Sequence, residues 1–334
     1  MDPTDSSSKC PIPKTGNTTA YDPHFESHLK DYGIFLPDST YPDGTEVCEP
    51  ENIAEIQRRL RARRPSLALS EDSLRKEYKE FKRLNNRTSD ERLVIKKILP
   101  ILDGSQQSSF HDGGNHPFTN LAPLTNGTLA NAKPDIYHGA LHHQLHSRVR
   151  EQLSDQIIPT RQTNRPITPN FFVETKGHYG SLPVMERQAL YNSALGARAI
   201  HSLQQYRRAQ EKCRSNSNSS NRPQDNDNCS DPAPVPGPAH DSTHDNHAYS
   251  IVSTFQKGTL GIYATHPTRT PSNIDPGANR QTDYVMTQVG HYSLIGSPES
   301  YQQGLNAYRN SRDLAKEYRD EFIRQANERH EAGR

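Results

Sequence analysis

Tryptophan is absent from the 334 residues, methionine occurs three times and cysteine four times. Cys10, Cys48, Cys213 and Cys229 stand far apart in polar surroundings, with no C-x-x-C pair among them. That spacing excludes a zinc ribbon and a dense disulfide framework, so a reducing compartment is the default expectation. No apolar run approaches the ~18–20 residues of a membrane span. The opening MDPTDSSSKCPIPK carries no apolar core of a secretory leader. The expectation is an intracellular protein of nucleus or cytoplasm, neither secreted nor held in a membrane. Leu, Ile, Val and Phe together number only 59, under the roughly 20% line that, with high net charge, marks a disordered chain. An excess of one charge is also missing: 40 basic residues face 39 acidic ones, for a net charge of +1. That balance excludes disorder driven by self-repulsion, and it excludes nucleic-acid binding through bulk positive charge alone. One globular domain diluted by polar segments fits these numbers.

Residues 1–50 are rich in Pro, Ser, Thr, Asp and Gly and read as a mostly disordered tail, with Tyr32, Ile34 and Phe35 as one small apolar spot able to dock. Residues 51–330 read as a single domain interrupted by a low-complexity insert at 210–246. Helices are expected at 51–64, where Pro65 stops the pattern, at 71–84, and from Ser89 to 102, with Ser89 as N-cap and Asp90 and Glu91 in the first turn. Residues 103–116 read as a loop. Short strands are expected around the Asn126-Gly127 turn, then a strand over 132–139, a helix over 141–153 and a strand over 170–176. Helix 184–208 is rich in small residues that permit close packing on a sheet. A hairpin over 248–266, a strand near 284–294 and a last helix over 298–329 follow. Seven acidic and seven basic residues between Glu299 and Arg334 make that helix a mostly solvated face.

The chemistry concentrates where Pro134-Asp135 and Glu174-Thr175-Lys176 fall in strands. Side chains alternate along a strand, so Glu174 and Lys176 share one face, and Phe171, Val173 and Thr175 share the other, free to meet a helix. If the two strands pair, two carboxylates and an ammonium converge at one end of the sheet. Mg²⁺ uses one or two carboxylates and relieves their repulsion. A lysine beside it can orient a water and stabilise charge on a phosphate. E-x-K occurs at 77–79, 80–82 and 174–176, and Pro-Asp at 37–38, 42–43 and 134–135. The first two of each read as solvated helix charge and as turns.

This arrangement resembles the PD-(D/E)xK, or restriction-endonuclease-like, phosphodiesterase superfamily over about residues 89–266. The resemblance implies an α+β fold of α/β-like order, a mixed sheet flanked by helices, with a core running helix, three strands, helix, strand. It implies Mg²⁺ or Mn²⁺ held by Asp135 and Glu174, with Lys176 positioning the water. The superfamily's first helix often adds an acid, which Asp90 or Glu91 matches, so Glu91 joins the metal-ligand candidates. Some members carry Gln and Tyr on the helix after E-x-K. Gln188 matches as a contact to phosphate or to Lys176, whereas Tyr191 follows Gln188 at three-residue spacing instead of four. Over about 28–330 the wording, with YGIFLPDSTYPDGT, NLAPLTNGTLANAKPDIYHGA, NFFVETKG and RQALYNSALGARAIHSLQ, resembles an uncharacterised fungal domain family with no established activity. The expected function is a metal-dependent nuclease acting on DNA or RNA. The alternative is a catalytically silent interaction module that uses the same cleft.

Two other clusters compete for attention. His142 and His146 at i, i+4 have a zinc-capable spacing, although a polar helix face or lid is the simpler reading. The run Arg58-Arg59-Leu60-Arg61-Ala62-Arg63-Arg64 reads as a nuclear-import patch, as a phosphate-binding arm, or as a solvated amphipathic helix.

Overall fold

The computed structural model describes residues 17–104, 111–208, 244–272, 274 and 281–333. In chain order its elements are α1 (His24–Asp31), β1 (Ile34–Phe35), α2 (Ile53–Leu60), α3 (Glu71–Asn86), α4 (91–103), β2 (His111–Gly113), β3 (Ile136–Ala140), α5 (Ser147–Gln152), α6 (Ser154–Ile157), β4 (Ile167–Lys176), α7 (Leu182–Gln205), β5 (Ser250–Gln256), β6 (Thr259–Arg269), β7 (Thr282–Ser293) and α8 (Pro298–Ala332). Among the described residues seven strands form one mixed sheet, in the order β1-β7-β6-β5-β4-β3-β2. The pairs β4–β5 and β1–β7 are parallel, and the others are antiparallel. The fold is thus mixed α+β, with helices on both faces of the sheet.

The front face carries α7 and α1. Phe172, Val252, Tyr263 and Met286 from four strands pack there against Ala189, Leu190 and Ala194 of α7 and Phe25 of α1. The small residues of α7 act as their spacing predicts. A Cβ on Gly196 would lie 2.6 Å from the Phe172 ring and 3.0 Å from the Pro169 carbonyl, so only glycine permits this approach. The back face carries α2, α3, α4 and α8, and Phe171, Val173, Ile251, Phe255 and Ile262 supply the sheet's half of that core. Side-chain caps explain where these helices start. Ser70 opens α3 and Ser297 opens α8, each accepting from a backbone N–H three residues on. Asp90, not Ser89, caps α4 by accepting from Arg92 N–H at 2.8 Å. Helix α4 passes through a π turn at Val94–Ile98 before Pro100, a widening that accommodates a ring lacking an N–H and crowding the preceding turn.

Five expectations need correction. The described part of the expected tail is folded onto the domain: Phe25 and Leu29 are buried, and Ile34–Phe35 add a parallel edge strand to β7. A few apolar side chains suffice there because the groove that receives them already exists. Residues 1–16 and 209–243 lie outside the described residues, so of the insert expected over 210–246 only 244–246 are described. The Asn126-Gly127 turn is present, with Gly127 at φ +82°, but it joins no strands. The outer strand is instead His111–Gly113, paired with β3 inside a segment read as loop. The helix expected over 141–153 is broken into a 3₁₀ turn at His142–Gln144 and α5. Finally, α8 is not mostly solvated. It crosses the back of the sheet and buries Tyr301, Leu305, Tyr308, Arg312, Leu314 and Arg319. No helix among the described residues is long and apolar enough to cross a membrane.

The back face also buries His138 of β3, stacked edge-on against Phe171 with ring centres 5.3 Å apart. Burial, and then the charges of Arg312 and Arg319, push its pKa down to about 3. Its folded value lies below its unfolded one. The stability it permits is therefore complete above about pH 6.5 and is lost as pH falls from there toward 3. Linkage makes that loss about 2 kcal/mol by pH 5. Urea denaturation at pH 7 and pH 5 should show a difference about 2 kcal/mol smaller in His138→Leu than in wild type. Identical pH dependence in the two proteins would refute this assignment.

Candidate active site

Strand β4 lies inside the sheet between β3 and β5, and its last three residues are Glu174, Thr175 and Lys176. Asp135 immediately precedes β3. The antiparallel register pairs Ile136 with Val173 and Tyr137 with Phe172, which sets Asp135 opposite Glu174. Period-2 alternation puts Glu174 on the front face, beneath α7, while the Asp135 carboxylate turns to the Thr175 backbone and hydroxyl at the strand edge beside it. Phe171 and Val173 turn to the back-face helices, as the alternation predicts.

Each acidic group is held by its own clamp. Asp135 Oδ2 accepts from the Thr175 N–H at 2.8 Å and from Thr175 Oγ1 at 2.9 Å. Glu174 Oε1 accepts from Asn192 Nδ2 of α7 at 2.6 Å. Glu174 Oε2 is buried with no hydrogen-bond partner. Burial, and then the charge of Asp135, hold the Glu174 carboxyl well above the usual carboxylate range, against the opposing pull of Lys176. Burial also raises Asp135, although both Thr175 donors and Lys176 oppose the shift.

The ammonium has a partner as well. Lys176 Nζ lies 3.2 Å from Glu91 Oε2, the lysine side chain 5% exposed and the glutamate 41%. The approach depends on Gly177. A Cβ there would stand 2.3 Å from the Ser89 carbonyl, and the next residue, His178, donates its N–H to that same carbonyl at 3.0 Å. The start of α4 is thus pressed onto the end of β4, which delivers Glu91 to Lys176. Glu91 contributes to the field that raises both carboxyls, but its direct contact is the lysine.

Gln188 sits one helical turn before Asn192 on α7, and its Oε1 is buried with no hydrogen-bond partner. Gln188, Tyr191, Asn192 and Lys133 line a cavity of about 100 Å³, closed on its far side by Thr19, Ala20, Tyr21 and Phe25. Tyr191 packs edge-on against Phe25, so its role here is contact with the N-terminal segment.

These residues can be tested against a divalent cation. The donor set is two neighbouring hard carboxylates that resist ionisation, Glu174 through burial and then the charge of Asp135, and Asp135 through burial. That chemistry suits Mg²⁺ or Mn²⁺, which seek oxygen donors. Among the described residues no three His, Cys, Asp or Glu side chains are placed together to hold a metal, so the fit rests on Asp135 and Glu174 with the remaining positions left to water. The histidines are arranged otherwise. His142 lies in the 3₁₀ turn with Nε2 3.1 Å from the Arg165 carbonyl, and His146 caps α5 and stacks on His330. They do not share a helix face.

Glu77, Lys79, Glu80 and Lys82 are exposed along α3, and Asp43 closes a turn by accepting from Thr45 N–H. Two of the clustered arginines join helices, Arg59 to Glu317 and Arg64 to Asp313 of α8. Two residues of the site escaped the sequence reading. Thr175, whose alternation predicts a helix contact, clamps Asp135. Asn192 holds Glu174, and its position four residues after Gln188 puts both on one helix face. No protein-family model, no curated protein and no solved structure matches the chain.

Proposed function

We propose that the chain is a metal-dependent phosphodiesterase of the PD-(D/E)xK type, a nuclease acting on nucleic-acid phosphodiesters. The observation that carries this reading is the meeting of Asp135, Glu174 and Lys176 at the β3–β4 junction, with Glu174 keeping an unpaired buried oxygen. The order α4, β2, β3, β4, α7, β5 supports it, since, apart from the short helices α5 and α6 inserted between β3 and β4, it follows that superfamily's helix, three strands, helix, strand. Asp135 and Glu174 would hold Mg²⁺ or Mn²⁺. When bound, the cation supplies Lewis-acid polarisation of a phosphoryl oxygen and a lowered pKa for water. The chain's own part is positioning. Thr175 and Asn192 fix the two carboxylates, and Glu91 holds Lys176 until a phosphate oxygen competes for the ammonium. Lys176 then orients the attacking water and stabilises charge on the phosphoryl oxygens. Gln188, with its free carbonyl oxygen, is placed to orient water at the rim.

A second reading is a catalytically silent interaction module. The complete burial of Glu174 and the Lys176–Glu91 pair favour it. One assay separates the two. Purified protein with Mg²⁺ or Mn²⁺ should cut at least one of single-stranded DNA, duplex DNA or RNA, and Lys176→Ala should lower the rate by about 10²–10³-fold or more. No cleavage of any of them, or equal cleavage by Lys176→Ala, would sink the phosphodiesterase.

A further inference from the structure

Among the described residues three large apolar side chains are exposed, Tyr21, Tyr179 and Leu182, and all three flank this site. Tyr21 lines the small cavity beside Gln188. Tyr179 lies three residues past Lys176, in the turn leading to α7, and is 93% exposed. Leu182 opens α7 and lines a second, larger cavity of about 560 Å³. Lys257, from the β5–β6 turn, lines that cavity too and sets its Nζ 5.8 Å from the centre of the Tyr179 ring. Gln256 ties these parts together, because its Nε2 donates to the Gly177 carbonyl at 3.1 Å and the Gly180 carbonyl at 2.7 Å. The turn bearing Tyr179 is thereby anchored to the end of β5.

The larger cavity lies one strand over from the carboxylates. Thr254 lines it and is the register partner of Glu174 on the neighbouring strand, about 4.8 Å away. From there the floor crosses β6 and β7 through Tyr263 and Gln288. Its volume falls within the range of small-ligand sites. Its chemistry is mixed: the exposed Tyr179 ring beside Lys257 at one end, then Thr254, Gln256, Gln288 and His291 as polar edges, with Met185 and the Glu186 carboxyl contributed by α7. An apolar peptide would leave those floor groups unpaired. A nucleobase suits them, with a face for the ring and a polar edge for the amides. In a duplex both faces of a base are already stacked, so a ring reaches them only in an unpaired strand.

We propose that Tyr179 and this cavity form a track for single-stranded nucleic acid. Tyr179 stacks the base next to the phosphate presented to Lys176, Lys257 pairs with the following phosphate, and the floor takes the next base. The proposal rests on the phosphodiesterase reading for its orientation, and it names the substrate class of that site. It also accounts for nucleic-acid binding by a chain of net charge +1, because stacking is sequence-tolerant and needs little bulk charge.

The test is fluorescence anisotropy with a labelled oligothymidine of about 12 nucleotides and a duplex of equal length, in EDTA at low salt. Wild type should bind the single strand at least about tenfold more tightly than the duplex. Tyr179→Ala should weaken strand binding roughly tenfold, and Tyr179→Trp should restore it, as expected for a stacking platform. Both variants should melt as wild type does, since the ring is exposed. Lys257→Ala should flatten the salt dependence by about one counterion. Strand binding unchanged in Tyr179→Ala, or duplex bound as tightly as single strand, overturns the track. Cleavage by wild type in Mg²⁺ is scored separately. Cleavage that persists while Tyr179→Ala binds normally removes the track and leaves the phosphodiesterase. Strand binding that depends on Tyr179, with no cleavage, keeps the track and removes the phosphodiesterase.

Discussion

Glu174→Gln is expected to abolish Mg²⁺-dependent cleavage and, in the same sample without metal, to raise the melting temperature. The two effects have opposite signs because one side chain serves the site at the expense of the fold. Glu174 is fully buried beside the Asp135 carboxylate, and the pull of Lys176 and the Asp135 N–H only partly offsets that burial. The strain this causes has a ceiling. A carboxyl whose ordinary value is 4.5 can always take up a proton instead, which limits the penalty at pH 7 to about 3 kcal/mol. Glutamine keeps an acceptor for Asn192 Nδ2 and removes the charge. Its own amide donor stays unpaired, which offsets part of the gain. A net relief of about 1 kcal/mol already moves the melting temperature by about 2–4 °C. Activity should fall by at least about 10³-fold, since a ligand to the cation is lost. Thermal melts with and without Mn²⁺ make the comparison. The wild type should gain stability from Mn²⁺ by mass action, and Glu174→Gln should not. A melting temperature several degrees below wild type in the metal-free variant would mean that the charge is structural.

Asn170→Ala is expected to be the most damaging single change to the fold away from the site. Asn170 is fully buried in β4. Its Oδ1 accepts from Arg319 Nη1 of α8 at 2.8 Å, and its Nδ2 donates to the Tyr249 and Ala315 carbonyls at 2.9 and 2.7 Å. Burial already depresses the Arg319 pKa to about 10. Removing Asn170 would leave a buried guanidinium and two carbonyls without their partner, a loss of about 3–5 kcal/mol. That corresponds to a fall of roughly 10 °C in melting temperature. Arg319→Met should be far milder, because it takes away the charge itself and fills the space with an apolar chain. Urea midpoints of the two variants at pH 7 test the contrast. Equal losses would show that the arginine's packing, not its solvation, carries the interaction.

The elements of β4, α7 and the β5–β6 hairpin are legible in the sequence because each is a long run with one period. The run NFFVETK centres on a continuous apolar stretch suited to a strand covered on both faces, RQALYNSALGARAI is small on the sheet-facing side, and the two arms around Gln256-Lys257-Gly258 are β-branched and aromatic. Short elements are not legible in this way. His111–Gly113 becomes a strand only because β3 offers it an edge, and nothing in His-Asp-Gly favours a strand by itself. Ile34–Phe35 likewise gains its place from β7. The long last helix shows the reverse error. Its balanced charges read as solvated, yet Arg312 and Arg319 are buried because Asp103 and Asn170 wait on the opposing elements.

For the candidate site, the sequence by itself determined which groups are available: a Pro-Asp expected within a strand over 132–139, which the structure starts only at Ile136, Glu-x-Lys at the end of a stronger strand, and an acidic first turn on the preceding helix. Strand alternation also determined that Glu174 and Lys176 share a side, since that follows from local geometry alone. Only the tertiary structure decided that Asp135 lies opposite Glu174, because pairing register is a contact between segments 39 residues apart. Only it decided that Glu91 meets Lys176, through a carbonyl pressed against Gly177, and that Asn192 and Thr175 hold the two acids. The difference is physical. Backbone periodicity is written in neighbouring residues, whereas burial, register and the electrostatics that follow from them depend on what another part of the chain brings to the same place.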